Sequence, residues 1–219
     1  MILGMSPTQS SSIKAVVFDY GNVLSFAPTA EEWQKLADTV GRPLDDFRRD
    51  YWLYRDEYDR AGCGPVSYWQ AVARRVLNPQ TLGKLIEFDN RQWTRINPDM
   101  LALSRRLRSA GVTTAILSNM PLDKLAWMRK IPACHFINEF PVTVFSCDHH
   151  LVKPEPAIYR LCLDMLAKSP GECLFLDDVP VNVDGGRKAG MATYLFRTAA
   201  EAAPVLADAW GLPTSALVD

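Results

Sequence analysis

The chain has 219 residues, 48% of them hydrophobic, with 24 Lys and Arg against 25 Asp and Glu and a formal net charge of −1. That length and composition suit one domain, or one domain with a sizeable insertion, built around a substantial core, and they exclude a disordered chain. The near-neutral balance offers no basic field for nucleic acid or anionic lipid, and no apolar run approaches the roughly 18 residues of a membrane span.

Residues 1–12 (MILGMSPTQSSS) have a short apolar start and a Ser/Thr/Gln run without a basic region and long apolar segment behind it, so they are expected to form a loose tail. At 13–18 (IKAVVF), Ile and Val cluster without strict alternation, the pattern of a strand buried on both faces. That strand runs straight into Asp19 and then Gly21 and Asn22, a pair that favours tight turning. Over 27–97 strand signals stop. AEEWQKLADTVG, LDDFRRDYWLYRDEYDRAG, VSYWQAVARRVL and TLGKLIEFDNRQWTRI all carry helical periodicity, with breaks at Gly41-Arg42-Pro43 and Gly62-Cys63-Gly64-Pro65. Strand patterns resume at 112–117 (VTTAIL), more weakly at 142–146 (VTVFS), and at 172–176 (ECLFL) and 192–196 (ATYLF), with helical patterns between them. Alternating strands and helices imply right-handed crossovers and an α/β fold with helices on both faces of a parallel sheet. The expected organisation is a tail (1–12), an α/β core (13–26 and 98–219) and an inserted helical cap (27–97).

Ligands of open parallel sheets sit outside the carboxyl ends of the strands. The first strand delivers Asp19 to that edge, the second Ser118 and Asn119, and ECLFL delivers Asp177 and Asp178, while Lys153 lies in the loop that opens the PEPAIY helix. Three carboxylates suit a hard divalent cation such as Mg²⁺, which prefers oxygen ligands and shares them with a substrate phosphate. One ammonium, a hydroxyl and an amide suit the phosphate itself, and an Asp can serve as nucleophile. Singly, each residue also has a plainer reading. Asp19 could cap a strand end, Asp177 and Asp178 could be an acidic pair at a helix start, Ser118 and Asn119 could cap a helix, and Lys153 could be solvated.

FDYGNVL, ILSN, the Lys of LVKPEPAIY, and FLDDVPVN followed by GRKAGM resemble, in order, the four motifs of the haloacid dehalogenase superfamily, in the branch whose helical cap lies between the first two. The resemblance runs from Ile13 to about Phe196 and implies a Rossmann-like core. It implies Asp19 as nucleophile, Ser118 and Asn119 holding the transferring group, and Lys153 neutralising it. It also implies Mg²⁺ held by Asp19, Asp177, Asp178 and a backbone carbonyl near Gly21. Phosphatases of the family usually carry a second Asp two positions after the nucleophile as general acid and base; this chain has Gly21 there. The D-x-G-N-V form resembles a subgroup that includes bacterial α-D-glucose-1-phosphate phosphatases.

The expected function is therefore Mg²⁺-dependent hydrolysis of a small phosphorylated metabolite, a sugar phosphate being one candidate. The alternatives are a phosphate-binding or regulatory protein without turnover and a metal-independent dehalogenase. No nucleic-acid or membrane partner is expected, and the chain is expected to be a monomer or weak homodimer. Five scattered cysteines, Cys63, Cys134, Cys147, Cys162 and Cys173, without a C-x-x-C pair, suggest reduced thiols in a cytoplasmic protein. His149 and His150 read as solvated. Trp33, Trp52, Trp93 and Trp127 read as packing residues, Asp45, Asp46, Arg48 and Arg49 as a charged helix surface, and Tyr68 and Trp69 as cap residues that could face substrate.

Overall fold

The computed structural model describes residues 12–214. The tail expected at 1–12 lies, apart from Ser12, outside the described residues. Five parallel strands, β1 (Ala15–Phe18), β2 (Thr113–Ser118), β3 (Val142–Phe145), β4 (Cys173–Asp177) and β5 (Ala192–Leu195), form one sheet in the order β3-β2-β1-β4-β5. All five apolar runs read from the sequence are strands of this sheet. Its order grows outward from β1 first to β2 and β3 and then to β4 and β5, so the chain reverses direction across the sheet beside β1, where a crevice opens. Phe18 pairs in register with Ile116 and Leu176, which brings the carboxyl ends of β1, β2 and β4 to one edge.

The period-two alternation of side chains divides each central strand between two cores. Val16, Phe18, Ile116, Leu174 and Leu176 face one layer; Ala15, Val17, Ala115, Leu117 and Phe175 face the other. The first is covered by α6 (Pro98–Ser109), α7 (Leu122–Met128) and α11 (Ala199–Trp210), and the second by α9 (Pro156–Leu166). A short α8 (Ser146–His149) follows β3, and α10 (Pro180–Lys188) joins β4 to β5. Glycine in α10 is a matter of space, since a Cβ at Gly186 would stand 2.8 Å from Phe175 Cδ1. None of the described helices is long and apolar enough to cross a membrane.

Between β1 and α6 lie α1 (Ala30–Val40), α2 (Leu44–Leu53), α3 (Arg55–Asp59), α4 (Pro65–Ala73) and α5 (Pro79–Gln92). Thr29 and Glu32 close a capping box at the start of α1, and α4 and α5 open on proline, whose fixed φ suits a first helical turn. These helices share their own apolar cluster, centred on Trp33, Phe47, Tyr51, Tyr68, Trp69 and Leu85. The buried Asp50 carboxylate ties α2 to its neighbours through Arg42 and, at 2.6 Å, Arg74. The helical run expected over 44–62 breaks at Tyr54, and Arg55 beyond the break turns inward to pair with Asp59 at 2.8 Å. The chain enters and leaves this block side by side: Phe26 N–H donates to the Arg95 carbonyl at 2.7 Å, and Asn97 N–H to the Leu24 carbonyl at 2.9 Å. Tyr58 and Arg60 reach back to Asp123 and Glu155, at 2.7 and 2.8 Å.

Candidate active site

Asp19 leaves β1 with its N–H donating to the Leu176 carbonyl at 2.9 Å, and the chain then folds back over Tyr20–Leu24. Asn22, not Gly21, takes the left-handed conformation of this turn, with φ 54°, a region Asn tolerates. Gly21, at φ −67° and ψ 130°, uses backbone angles open to any residue. Its lack of a side chain matters for space instead: a Cβ there would stand 3.3 Å from Cζ3 of Trp93.

Lys153 Nζ bridges Asp19 Oδ1 at 2.8 Å and Asp177 Oδ2 at 2.6 Å, and its side chain is 1% exposed. Asn119 holds the Lys153 backbone from both sides, its Nδ2 donating to the carbonyl at 3.0 Å and its Oδ1 accepting from the N–H at 2.8 Å. Asn119 thus braces the lysine rather than offering its whole amide to a ligand. Ser118, at the end of β2, keeps a hydroxyl that bonds to none of the described residues and borders the cavity. Neither residue caps α7, whose N-cap is Pro121.

Asp177 is enclosed, accepting from Val179 N–H at 2.8 Å and lying 3.2 Å from Asn182 Nδ2 with both oxygens. Asp178 accepts from Asn22 Nδ2 at 3.0 Å through Oδ2. Asn22 and Asn182 stood inside the motifs but had no assigned role in the sequence reading. Their signal is a buried carboxylate near each that needs a neutral donor.

One oxygen from each of Asp19, Asp177 and Asp178 lies within 4.8 Å of the others. Against these three carboxylates stands one ammonium, so the cluster with all three ionised would lack two positive charges (three minus one). Burial, opposed by Lys153 and aided by Asp177 and Asp178, pushes the Asp19 carboxyl up to about 7. Burial likewise raises Asp178, aided by Asp177 and opposed by Asn22. Burial disfavours the Lys153 ammonium, but Asp177 and Asp19 outweigh it and hold the group above its usual range. Asp19 Oδ1 is taken by Tyr20 N–H at 2.7 Å and by Lys153, whereas Oδ2 accepts no hydrogen bond from the described residues. A divalent cation fits this donor set: it supplies charge to a cluster in which carboxylates outnumber the one ammonium.

Above the cluster opens a cavity of about 490 Å³. Its core side presents Asp19, Ser118, Lys153 and Asp178, and its helical side Trp33, Arg48, Trp52 and Trp93. Here the sequence reading needs correction. Trp52 read as a packing residue but is half exposed at the cavity, whereas Trp33 and Trp93 pack in or against the helical cluster as expected and border the cavity as well; Arg48 is exposed, as a charged helix surface requires, and borders the same cavity. Tyr68 and Trp69 are buried inside the helical cluster, at 1% and 0% exposure. A periodicity shows which residues share a helix face, but not which face turns to the cleft. His150 Nδ1 lies 2.9 Å from the Arg60 carbonyl, and the five cysteines are free.

Residues 13–190 match the family described as haloacid dehalogenase-like hydrolase. The chain is 37% identical over 203 residues to bifunctional epoxide hydrolase 2 of Sus scrofa, covering 85% of this chain and 37% of that relative. The chain thus spans well under half the length of the mammalian bifunctional epoxide hydrolases it matches. It is 30% identical to a phosphatase of Mycobacterium tuberculosis over 84% of this chain and 87% of the relative. Among solved structures, a haloacid dehalogenase family enzyme of Bacteroides thetaiotaomicron, in complex with magnesium and inorganic phosphate, shares the fold. Its TM-score is 0.67 at 19% identity, over 84% of this chain and 94% of that one. An L-2-haloacid dehalogenase of Xanthobacter autotrophicus does so with TM-score 0.62 at 22% identity, over 94% and 85%.

Proposed function

Because the chain belongs to the haloacid dehalogenase-like hydrolase family, we propose that it hydrolyses small phosphate monoesters through an aspartyl phosphate on Asp19. The observation that carries this reading is the pairing of a donor-free Asp19 Oδ2 with Lys153 and two further carboxylates at the bottom of one cavity. The similarity to a mycobacterial phosphatase along most of both chains supports it.

In the proposed reaction Asp19 Oδ2 attacks phosphorus, the bond to the ester oxygen breaks, and that oxygen leaves with the electron pair. Ser118 Oγ donates to a phosphoryl oxygen, Lys153 offsets developing negative charge, and Asn119 keeps Lys153 in place. Water then attacks the phosphorus of the aspartyl phosphate, releasing inorganic phosphate and the Asp19 carboxylate. Asp19, Asp178 and the Gly21 carbonyl would hold Mg²⁺, with Asp177 acting directly or through water. The cation would neutralise phosphoryl charge. The helices over 27–97 act as a cap that shuts the cavity against water.

Gly21 brings no proton to the leaving oxygen, and general acid–base help is typically worth about 10²–10⁴-fold. The site therefore favours leaving groups that depart as stable anions: aryl, acyl and anomeric phosphates. The acidic cluster speaks against the metal-independent dehalogenase. The gap at Gly21 favours the other alternative, a phosphate binder without turnover. Hydrolysis of p-nitrophenyl phosphate with and without Mg²⁺, using Asp19→Asn as the blank, separates them. Metal-dependent turnover abolished in the variant supports the proposal. Equal activity in EDTA points to metal-independent chemistry, and phosphate binding without turnover to the binder.

A further inference from the structure

Two side chains on the helical wall of the cavity stand exposed towards it. Trp52 is 50% exposed, leaving half of a large apolar ring in water. Arg48 stands four residues earlier on α2, on the same helix face, and borders the same cavity. It forms no ion pair or hydrogen bond with the described residues; its guanidinium rests 5.4 Å from the Trp33 ring centroid. Its neighbours are committed. Arg55 pairs with Asp59 at 2.8 Å, Lys124 with Asp89 at 3.0 Å, and Arg49 with Asp46 at 2.8 Å. Asp56, on the same wall, forms no bridge to Arg48. Trp33 and Trp52 stand 6.2 Å apart with planes at 53°, an open angle of two indoles beside a free cation.

Phosphate alone does not account for this wall. A cavity of about 490 Å³ accommodates a molecule well beyond a phosphoryl group and a two-carbon fragment. An indole face suits the flat face of an aryl group or the C–H face of a sugar ring. A guanidinium presents a planar fork that matches a carboxylate or a second phosphate.

We propose that the wall binds the leaving group of the substrate, and that the substrate is a phosphate ester of a ring compound that carries a second anionic group. The ring lies against Trp52 and the second anion pairs with Arg48. This assignment rests on the phosphohydrolase reading of the cavity floor and adds the substrate class to it.

Three probes test it with Mg²⁺ present: acetyl phosphate, which has neither ring nor second anion, phenyl phosphate, which adds the ring, and 4-carboxyphenyl phosphate, which adds both. Trp52→Ala lowers the kcat/KM ratio of phenyl phosphate to acetyl phosphate by about fivefold, the scale of one aromatic contact. Arg48→Ala lowers the ratio of 4-carboxyphenyl to phenyl phosphate by about fivefold, as expected for a partly exposed ion pair, and Arg48→Lys recovers part of it. Equilibrium dialysis of 4-carboxyphenyl phosphate and phenyl phosphate onto Asp19→Asn protein reads the Arg48 preference without turnover. Ratios that stay constant, or that move equally for all three compounds, overturn the assignment. Wild-type protein that hydrolyses none of the probes, while the dialysis preference survives and responds to Arg48→Ala, strikes at the reaction and leaves the wall's assignment standing.

Discussion

Restoring the missing acid at position 21 is a matter of room. Gly21 already has backbone angles an Asp adopts, so Gly21→Asp strains no dihedral. Its Cβ, however, would stand 3.3 Å from Trp93 Cζ3 and 4.0 Å from Asp19 Oδ2. The second distance is favourable, since a carboxyl beside Asp19 would be held protonated by like charge, as a general acid must be. The first requires the indole to yield by a few tenths of an ångström. Trp93 is not free to do so: its carbonyl accepts from Tyr20 Oη at 2.9 Å, and Lys124 Nζ lies 5.2 Å over its ring. Overpacking of this kind costs about 1–3 kcal/mol. Gly21→Asp alone is expected to lower Tm and to raise kcat/KM on alkyl phosphates less than tenfold. Gly21→Asp combined with Trp93→Leu is expected to raise it by about 10²–10⁴-fold, the usual worth of a positioned acid. The assay is the slope of log kcat/KM against leaving-group pKa, steep in the wild type and shallower in the double variant. A shallow wild-type slope would mean that another group already donates the proton. A folded double variant with no gain on alkyl phosphates would show that position 21 is not where the acid acts.

Asp178→Ala, which removes a carboxylate from a charge-deficient cluster, is expected to abolish Mg²⁺ binding or weaken it severely by calorimetry; unchanged affinity refutes its assignment as a ligand. Asn119→Ala removes both bonds that fix the Lys153 backbone and is expected to lower kcat by at least about tenfold while the protein still binds Mg²⁺; an unchanged kcat would show that Lys153 needs no brace. Hydrogen bonds from Arg74, then from Arg42, hold the Asp50 carboxyl well below the usual range. A lowered folded value stabilises above the unfolded pKa, about 3.9, and is lost as pH falls through the folded value. Asp50→Asn is therefore expected to lower Tm at pH 7 and to flatten the acid limb of a Tm-against-pH profile, whereas a parallel profile refutes the pairing.

The sheet was legible because its three central strands, β1, β2 and β4, are buried on both faces and so read as unbroken apolar runs, and the edge strands keep short apolar runs although β5 is only half-buried; even the weak VTVFS segment is β3. The edge residues Asp19, Ser118 and Asp177 followed from strand ends alone. Helix α11 was not, because Pro204 interrupts AAEAAPVLADAW and alanine contributes little amphipathic contrast, while its true boundary signals, Thr198 at the N-cap and Gly211 at φ 64°, frame it from outside. The wall of the cavity was not legible either. Trp52 and Trp69 look alike in sequence, each in an aromatic helical stretch, yet one is half exposed at the cleft and the other fully buried. Only the packing of α2 and α4 against each other decides between them. Gly21 was read as a flexible turn residue, whereas Asn22 carries the positive φ and Gly21 makes room for Trp93.

The most direct test of Asp19 as nucleophile is mass spectrometry of acid-quenched enzyme during turnover of acetyl phosphate with Mg²⁺. A leaving group that needs no acid lets the first step outrun the second, in which water attacks without a base at position 21. The account predicts one added phosphoryl group on the peptide that contains Asp19, absent when Mg²⁺ is withheld and absent from Asp19→Asn. Steady release of inorganic phosphate by Asp19→Asn at the wild-type rate, with no label on that peptide in either protein, would contradict it.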